Sequence, residues 1–200
     1  MKISDLIKYV RQELEDEINT RWTDEKLLSF MRRAFVRASH LIRRNGIELG
    51  KRIYEIDVVA GTKEYDLPYD FMSPIALFNG NTQLIHRTIE QFNEIQYATP
   101  VSNYIIIDNK IWVLGIPVEA SKLNLFYYSL LVPEEIVLTG ETPWDGKLDM
   151  LIIEYLTLRT KNVDEMDISA DVEFMKDFET AILETYKTVD PIVISNRGWM

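Results

Sequence analysis

Apolar and polar positions follow two different periods along the chain, and the changes of period divide it into three parts. Ile3, Leu6, Ile7, Val10, Leu14 and Ile18 recur every three or four residues. This predicts an amphipathic helix with Ser4 as N-cap and Glu13, Asp16 and Glu17 on the wet face. Thr23 is placed to cap a second helix, with Asp24 and Glu25 in the first turn where the macrodipole favours acids. Its apolar face is Leu27, Met31, Ala34, Phe35, Ala38, Leu41 and Ile42, and Asn45-Gly46 is a stop signal.

From residue 51 the period falls to two. Tyr54, Ile56 and Val58 alternate with Glu55 and Asp57, and Ala60-Gly61-Thr62 then leads to Tyr65 and Leu67, which predicts a hairpin. Pro68 should end its second strand, having no N–H for the ladder. Strands are predicted near 75–78 and 82–85 around Asn79-Gly80-Asn81, and at 104–107 and 111–114 around Asp108-Asn109. A short helix falls at 89–95, and Leu123, Leu125 and Tyr127 mark a last long strand. After Pro133 the helical period returns, with Leu148, Leu151, Ile152, Tyr155 and Leu156 inward on one helix. A final helix is capped by Ser169 and built on Val172, Met175, Phe178, Ile182 and Tyr186. The expected fold class is α+β: a discontinuous antiparallel helical bundle of two N-terminal and two C-terminal helices, with an antiparallel β-rich domain inserted. Residues 1–50 and 143–188 would form the bundle, 51–142 the insert and 189–200 a tail.

Charge sharpens this picture. The net charge is −10, which argues against general affinity for DNA or anionic membranes. It is spread unevenly: +2 over residues 1–50, −3 over 51–130 and −9 over 131–200. The two ends can therefore attract each other, within a chain or between copies. No signal peptide is visible, and no apolar run approaches the roughly 20 residues of a membrane helix. A soluble protein is expected.

The chain has no cysteine and two histidines, which removes thiol nucleophiles, disulfides and zinc ribbons and leaves little for a multi-histidine metal centre. Common nucleotide, metalloprotease and serine-hydrolase motifs are missing. Gly61-Thr62-Lys63 has only the end of a phosphate loop, and Asp167-x-Ser169-x-Asp171 lacks the glycine and glutamate of a calcium loop. His86, beside Arg87 at a strand end, reads as a surface residue. One constellation stands out: Lys26, Arg33, Arg37, His40 and Arg44 share a narrow band of the second helix, opposite its apolar face. Such a stripe is a solvated face, or a contact for phosphates or acidic protein surface.

The middle of the chain resembles a known family. Ala60-Gly61-Thr62-x-Glu64-Tyr65-Asp66-Leu67-Pro68-x-Asp70-Phe71 is similar to a hairpin of tailed-phage head–tail adaptor (connector) proteins. Trp22-Thr23-Asp24-Glu25-x-Leu27 resembles their second-helix start, Thr99-Pro100 and Tyr104 the strand after the short helix, and Leu123 with Tyr127-Tyr128 their late strand. Gly115-Ile116-Pro117 stands where such proteins often carry Pro-x-Pro, and the tail matches nothing in the resemblance. The resemblance implies a structural protein without catalytic residues, cofactor or metal. It implies a homo-oligomeric ring, typically of twelve copies, in the virion at the head–tail junction. The ring docks under the portal protein, receives a tail or nozzle protein and lets double-stranded DNA pass without sequence specificity.

Three groups of residues are singled out on this basis. The turn residues Gly61, Tyr65, Leu67 and Pro68 should form a rigid structural corner. Ile192, Val193, Ile194, Trp199 and Met200, apolar positions after Asp190-Pro191, are candidates for portal binding. The basic stripe is a candidate inter-subunit or DNA-facing surface, with Asp164, Glu165, Asp167, Asp171 and Glu173 as an acidic counterpart. The competing readings are another tail-proximal ring component, such as a nozzle or tail-tube protein, a cell-wall glycosidase and a sequence-independent nucleic-acid binder.

Overall fold

A computed structural model describes residues 1–18, 21–94, 101–115, 117, 119–133, 135–144, 146–165 and 168–186, with 92–94, 162–165 and 168–175 described by backbone alone. The described residues form a mixed α+β fold with five α-helices and a seven-stranded sheet.

Helix α1 (Ile3–Glu13) is started by neighbouring backbone. The N–H groups of Ile3 and Ser4 donate to the carbonyls of Gly140 (2.9 Å) and Leu138 (3.0 Å). Lys2 occupies the N-cap position, so Ser4, predicted as the cap, lies in the first turn. The helix also stops before its apolar period does. Glu15 adopts a positive φ of 53°, and the N–H groups of Glu15 and Asp16 close onto the carbonyls of Gln12 and Arg11. This is a Schellman ending, and it reverses the chain. Ile18, predicted inward, is 83% exposed. Asp16, predicted wet, is buried; it accepts from the backbone N–H of Trp22 (2.9 Å) and Arg21 (3.1 Å) and pairs with Arg11 (3.3 Å). A periodicity read along one helix has no means of registering that reversal.

Helix α2 (Asp24–Arg44) follows its prediction. The Thr23 hydroxyl accepts from the Lys26 N–H, and the seven apolar positions are buried. Gly46, at φ 67°, ends it with a second Schellman pair, Gly46 N–H to the Arg43 carbonyl and Ile47 N–H to that of Ile42.

The strands are β1 (Lys51–Val58), β2 (Glu64–Asp66), β3 (Phe71–Asn79), β4 (Thr82–His86), β5 (Asn103–Ile107), β6 (Lys110–Leu114) and β7 (Ser121–Ser129), in the spatial order β1-β7-β3-β4-β5-β6-β2. Two predicted hairpins are present. β3 and β4 meet across Gly80 (φ 57°), and β5 and β6 across Asp108 and Asn109, both at positive φ as a type I′ turn requires. The predicted hairpin around Gly61 is not one. β1 pairs with β7 and β2 with β6, at opposite ends of the strand order. Residues 59–63 can span at most about 21 Å between those strands, whereas a flat sheet of this size would hold its outer strands about 29 Å apart. The sheet therefore curls until both edges flank the turn. The expectation of a wholly antiparallel insert is also corrected, because β4 and β5 are parallel. Helix α3 (Ile89–Glu94) lies in the connection between them, as a parallel pair needs a crossover.

Helices α4 (Asp149–Glu165) and α5 (Ile168–Tyr186) complete the chain described. Ser169, predicted as a cap, falls inside the first turn of α5. Buried side chains gather in two clusters. One draws on α1, α2, α4 and α5 with Leu131, Val132 and Trp144; the other takes residues such as Ile56, Tyr65, Leu77, Leu84, Tyr104, Val113 and Leu125 from all seven strands. Ser39 joins the helical layer to the chain after β7: its hydroxyl donates to the Phe35 carbonyl and accepts from the Leu131 N–H, both at 2.8 Å.

Candidate assembly surface

The basic stripe is set out by α2. Because Met31, Ala34, Phe35, Ala38 and Ile42 are buried on one side, the helical period puts Lys26, Arg33, Arg37, His40 and Arg44 on the other, and all five are exposed. Four of them, Arg33, Arg37, His40 and Arg44, line one groove of about 660 Å³ between α2 and α4. Arg32, Val36, Leu41 and Tyr155 complete its lining. The groove is thus a row of cations over an aliphatic and aromatic floor. Lys26 stands apart from it, its ammonium 4.4 Å from the centre of the Trp22 ring. Arg44 pairs with Glu179 of α5 at 3.5 Å while its side chain stays 72% exposed. Tyr155 is the member that sequence reasoning missed. Its helical period assigned it inward, and only the crossing of α4 over α2 brings it to the groove wall.

The Gly61 corner is built as a turn. Thr62 N–H donates to the Val59 carbonyl (3.1 Å) with Gly61 at φ 83°, the third position of a type II turn. The Tyr65 hydroxyl donates to the Thr62 carbonyl (2.8 Å), and Gly61 N–H to the Pro117 carbonyl (3.0 Å). Tyr65 and Leu67 are buried, and β2 ends at Asp66, two residues before Pro68. Burial pushes the Tyr65 phenol above its ordinary range. This geometry offers a support, with no cradle for phosphate at Gly61-Thr62-Lys63. Where the sheet meets the helical layer, Tyr127 donates to Asp70 (2.9 Å), and Asp70 pairs with Arg52 (3.0 Å).

Other candidates fall elsewhere. His86 is exposed and stacks on Tyr104, with ring centres 4.9 Å apart. Ser169 and Asp171 lie in the backbone of α5, so no calcium-type loop is formed there. Among the described residues no cluster of three or more His, Asp or Glu could hold a metal ion, and no helix is long and apolar enough to cross a membrane. Ile192, Val193, Ile194, Trp199, Met200 and Asp167 lie outside the described residues, and Asp164, Glu165, Asp171 and Glu173 are described by backbone alone.

The family model for the SU10 adaptor protein matches residues 1–193. The chain belongs to the SU10 adaptor family. This agrees with the resemblance to tailed-phage head–tail adaptors carried by the motifs from Trp22 to Tyr128. The adaptor family is structural, its members act with other phage head and tail proteins, and its place is the head–tail region of the virion. None of the curated proteins compared with the chain matches it.

Proposed function

We propose that this adaptor forms a ring, with twelve copies as the expected number, that docks under the portal protein, receives a tail or nozzle protein and passes double-stranded DNA. The match to the adaptor family over residues 1–193 carries the reading. Net charge supports it: at −10 the subunit suits a conduit, since basic surface would hold passing phosphates through counterion release. Within the subunit, residues 1–50 and 143–188 act as a helical body and 51–142 as an insert, in keeping with the separate helical and strand cores. Ile192, Val193, Ile194, Trp199 and Met200 serve as an apolar anchor for the portal. The stripe of Lys26, Arg33, Arg37, His40 and Arg44 serves contacts between subunits, with DNA contact as the second use. The test is to mix the protein with its cognate portal and image the product by electron microscopy. A ring of copies seated on the portal is expected; portal particles without added density would overturn the reading.

A further inference from the structure

Helix α5 carries a stripe that matches the basic one. Along α2, Arg33, Arg37, His40 and Arg44 are spaced by four, three and four residues. Along α5, Glu173, Asp177, Thr180 and Glu184 have the same spacing. Asp177, Thr180 and Glu184 are exposed, on the side of α5 opposite the buried Ile182. The basic stripe and the described part of the acidic one are thus open to solvent, and Thr180 and Glu184 also border a groove against residues 45–49 of their own chain; along the helix axis each stripe runs about 16 Å. Among the described residues they do not satisfy each other within a chain. Glu179, which reaches Arg44, is not a member of the acidic stripe, and Arg33, Arg37, Asp177 and Glu184 form no ion pair among the described residues.

We infer that the acidic stripe of α5 on one copy docks into the α2–α4 groove of the next. The partner is thus a second copy of this chain, and the inference rests on the ring proposed above. Laid side by side in parallel, the stripes match at every position: arginines 33, 37 and 44 oppose acids 173, 177 and 184, and His40 opposes Thr180. The antiparallel alignment has the same spacing but sets Arg37 against Thr180. The two surfaces differ, so the contact is heterologous and propagates from copy to copy, as a ring requires. The groove's floor of Val36, Leu41 and Tyr155 suits a helix side better than a sugar–phosphate backbone. The neighbouring cation on α5, Lys176, lies beside the stripe rather than in it.

Reversed charges test this directly in the full chain. Arg37→Glu and Asp177→Arg, which face each other in the parallel alignment, should each weaken assembly on the portal about tenfold or more at low salt, with unchanged circular dichroism and melting temperature. Mixing the two variants should restore assembly, because each then offers the other complementary faces. In a second arm, His40→Cys and Thr180→Cys on differently tagged copies should form a disulfide between copies when a thiol oxidant is added; the chain has no other cysteine. Assembly of either variant as wild type, failure of the mixture to recover, or loss of DNA retention with assembly intact would each overturn the inference while the ring stands. A wild-type chain that forms no multi-copy assembly on the portal would remove the ring and this contact together.

Discussion

Single residues carry the fold where the backbone leaves ordinary regions. Gly61 sits at φ 83° with nothing within 4 Å of where a Cβ would stand, so a side chain there meets backbone strain and no collision. Gly61→Val should cost about 1–3 kcal/mol in chemical denaturation of the isolated protein, and an unchanged midpoint would remove the corner's supposed rigidity. Glu15 is the converse. It holds φ 53° at the end of α1 without being glycine, and the left-handed region costs a residue with a Cβ about 1–2 kcal/mol. Glu15→Gly should therefore stabilise the protein by about 1 kcal/mol, read as a higher denaturation midpoint; a fall would mean that the Glu15 side chain supports the turn. Asp16 shows why a burial pattern fails at such a place. Its carboxylate turns inward because the reversal at Glu15 aims it at the N–H groups of Arg21 and Trp22, and a hydropathy pattern scores an acid as wet.

Elements were legible in the sequence as far as their determinants are local. The α2 stop, the Gly80 turn and the Asp108-Asn109 turn are each written in two or three neighbouring residues, and each stands where those residues put it. The partner of β1 is not local. Its alternating pattern suits any half-buried strand, and the strand it pairs with begins at Ser121. The basic stripe was legible because it lies on one helix; the groove was not, because Tyr155 reaches it by tertiary packing. The sheet also makes a prediction of its own. Burial raises the phenols of Tyr65, Tyr104 and Tyr127 above their ordinary value, and Asp70 raises that of Tyr127 further. The folded state then keeps protons that the unfolded chain releases near pH 10, so stability falls as pH rises above about 10. Tyr65, Tyr104 and Tyr127 should ionise late, together with loss of the sheet, in a phenolate absorbance titration followed alongside circular dichroism. Tyr127→Phe should shallow the alkaline decline. Reversible ionisation of these three phenols near pH 10 with the fold intact would refute it.

At the scale of the whole molecule, the helical layer and the sheet are each finished by the second half of the chain. The core residues of α1 and α2 meet those of α4 and α5, and among the described residues Ile182 is the last fully buried one, with Tyr186 packed half-buried against the same cluster. On the proposed role of the tail, deleting residues 191–200 should leave the melting temperature within a degree or two and abolish docking to the portal; a truncated protein that still docks would move the anchor elsewhere. The pairing of β1 with β7, from Lys51 opposite Tyr128 to Val58 opposite Ser121, also sets a timetable for synthesis. At roughly 5–20 residues per second, β1 leaves the ribosome several seconds before its partner exists. Such distant pairing places folding among slow topologies, on the order of milliseconds to seconds even for the complete chain. During that wait the apolar face of α2 has no α4 to cover it. The yield of correctly folded subunit in the cell is therefore governed by how fast translation reaches β7 and α4, and synonymous codons that stall the ribosome between residues 60 and 120 should lower soluble yield without altering the stability of the protein recovered.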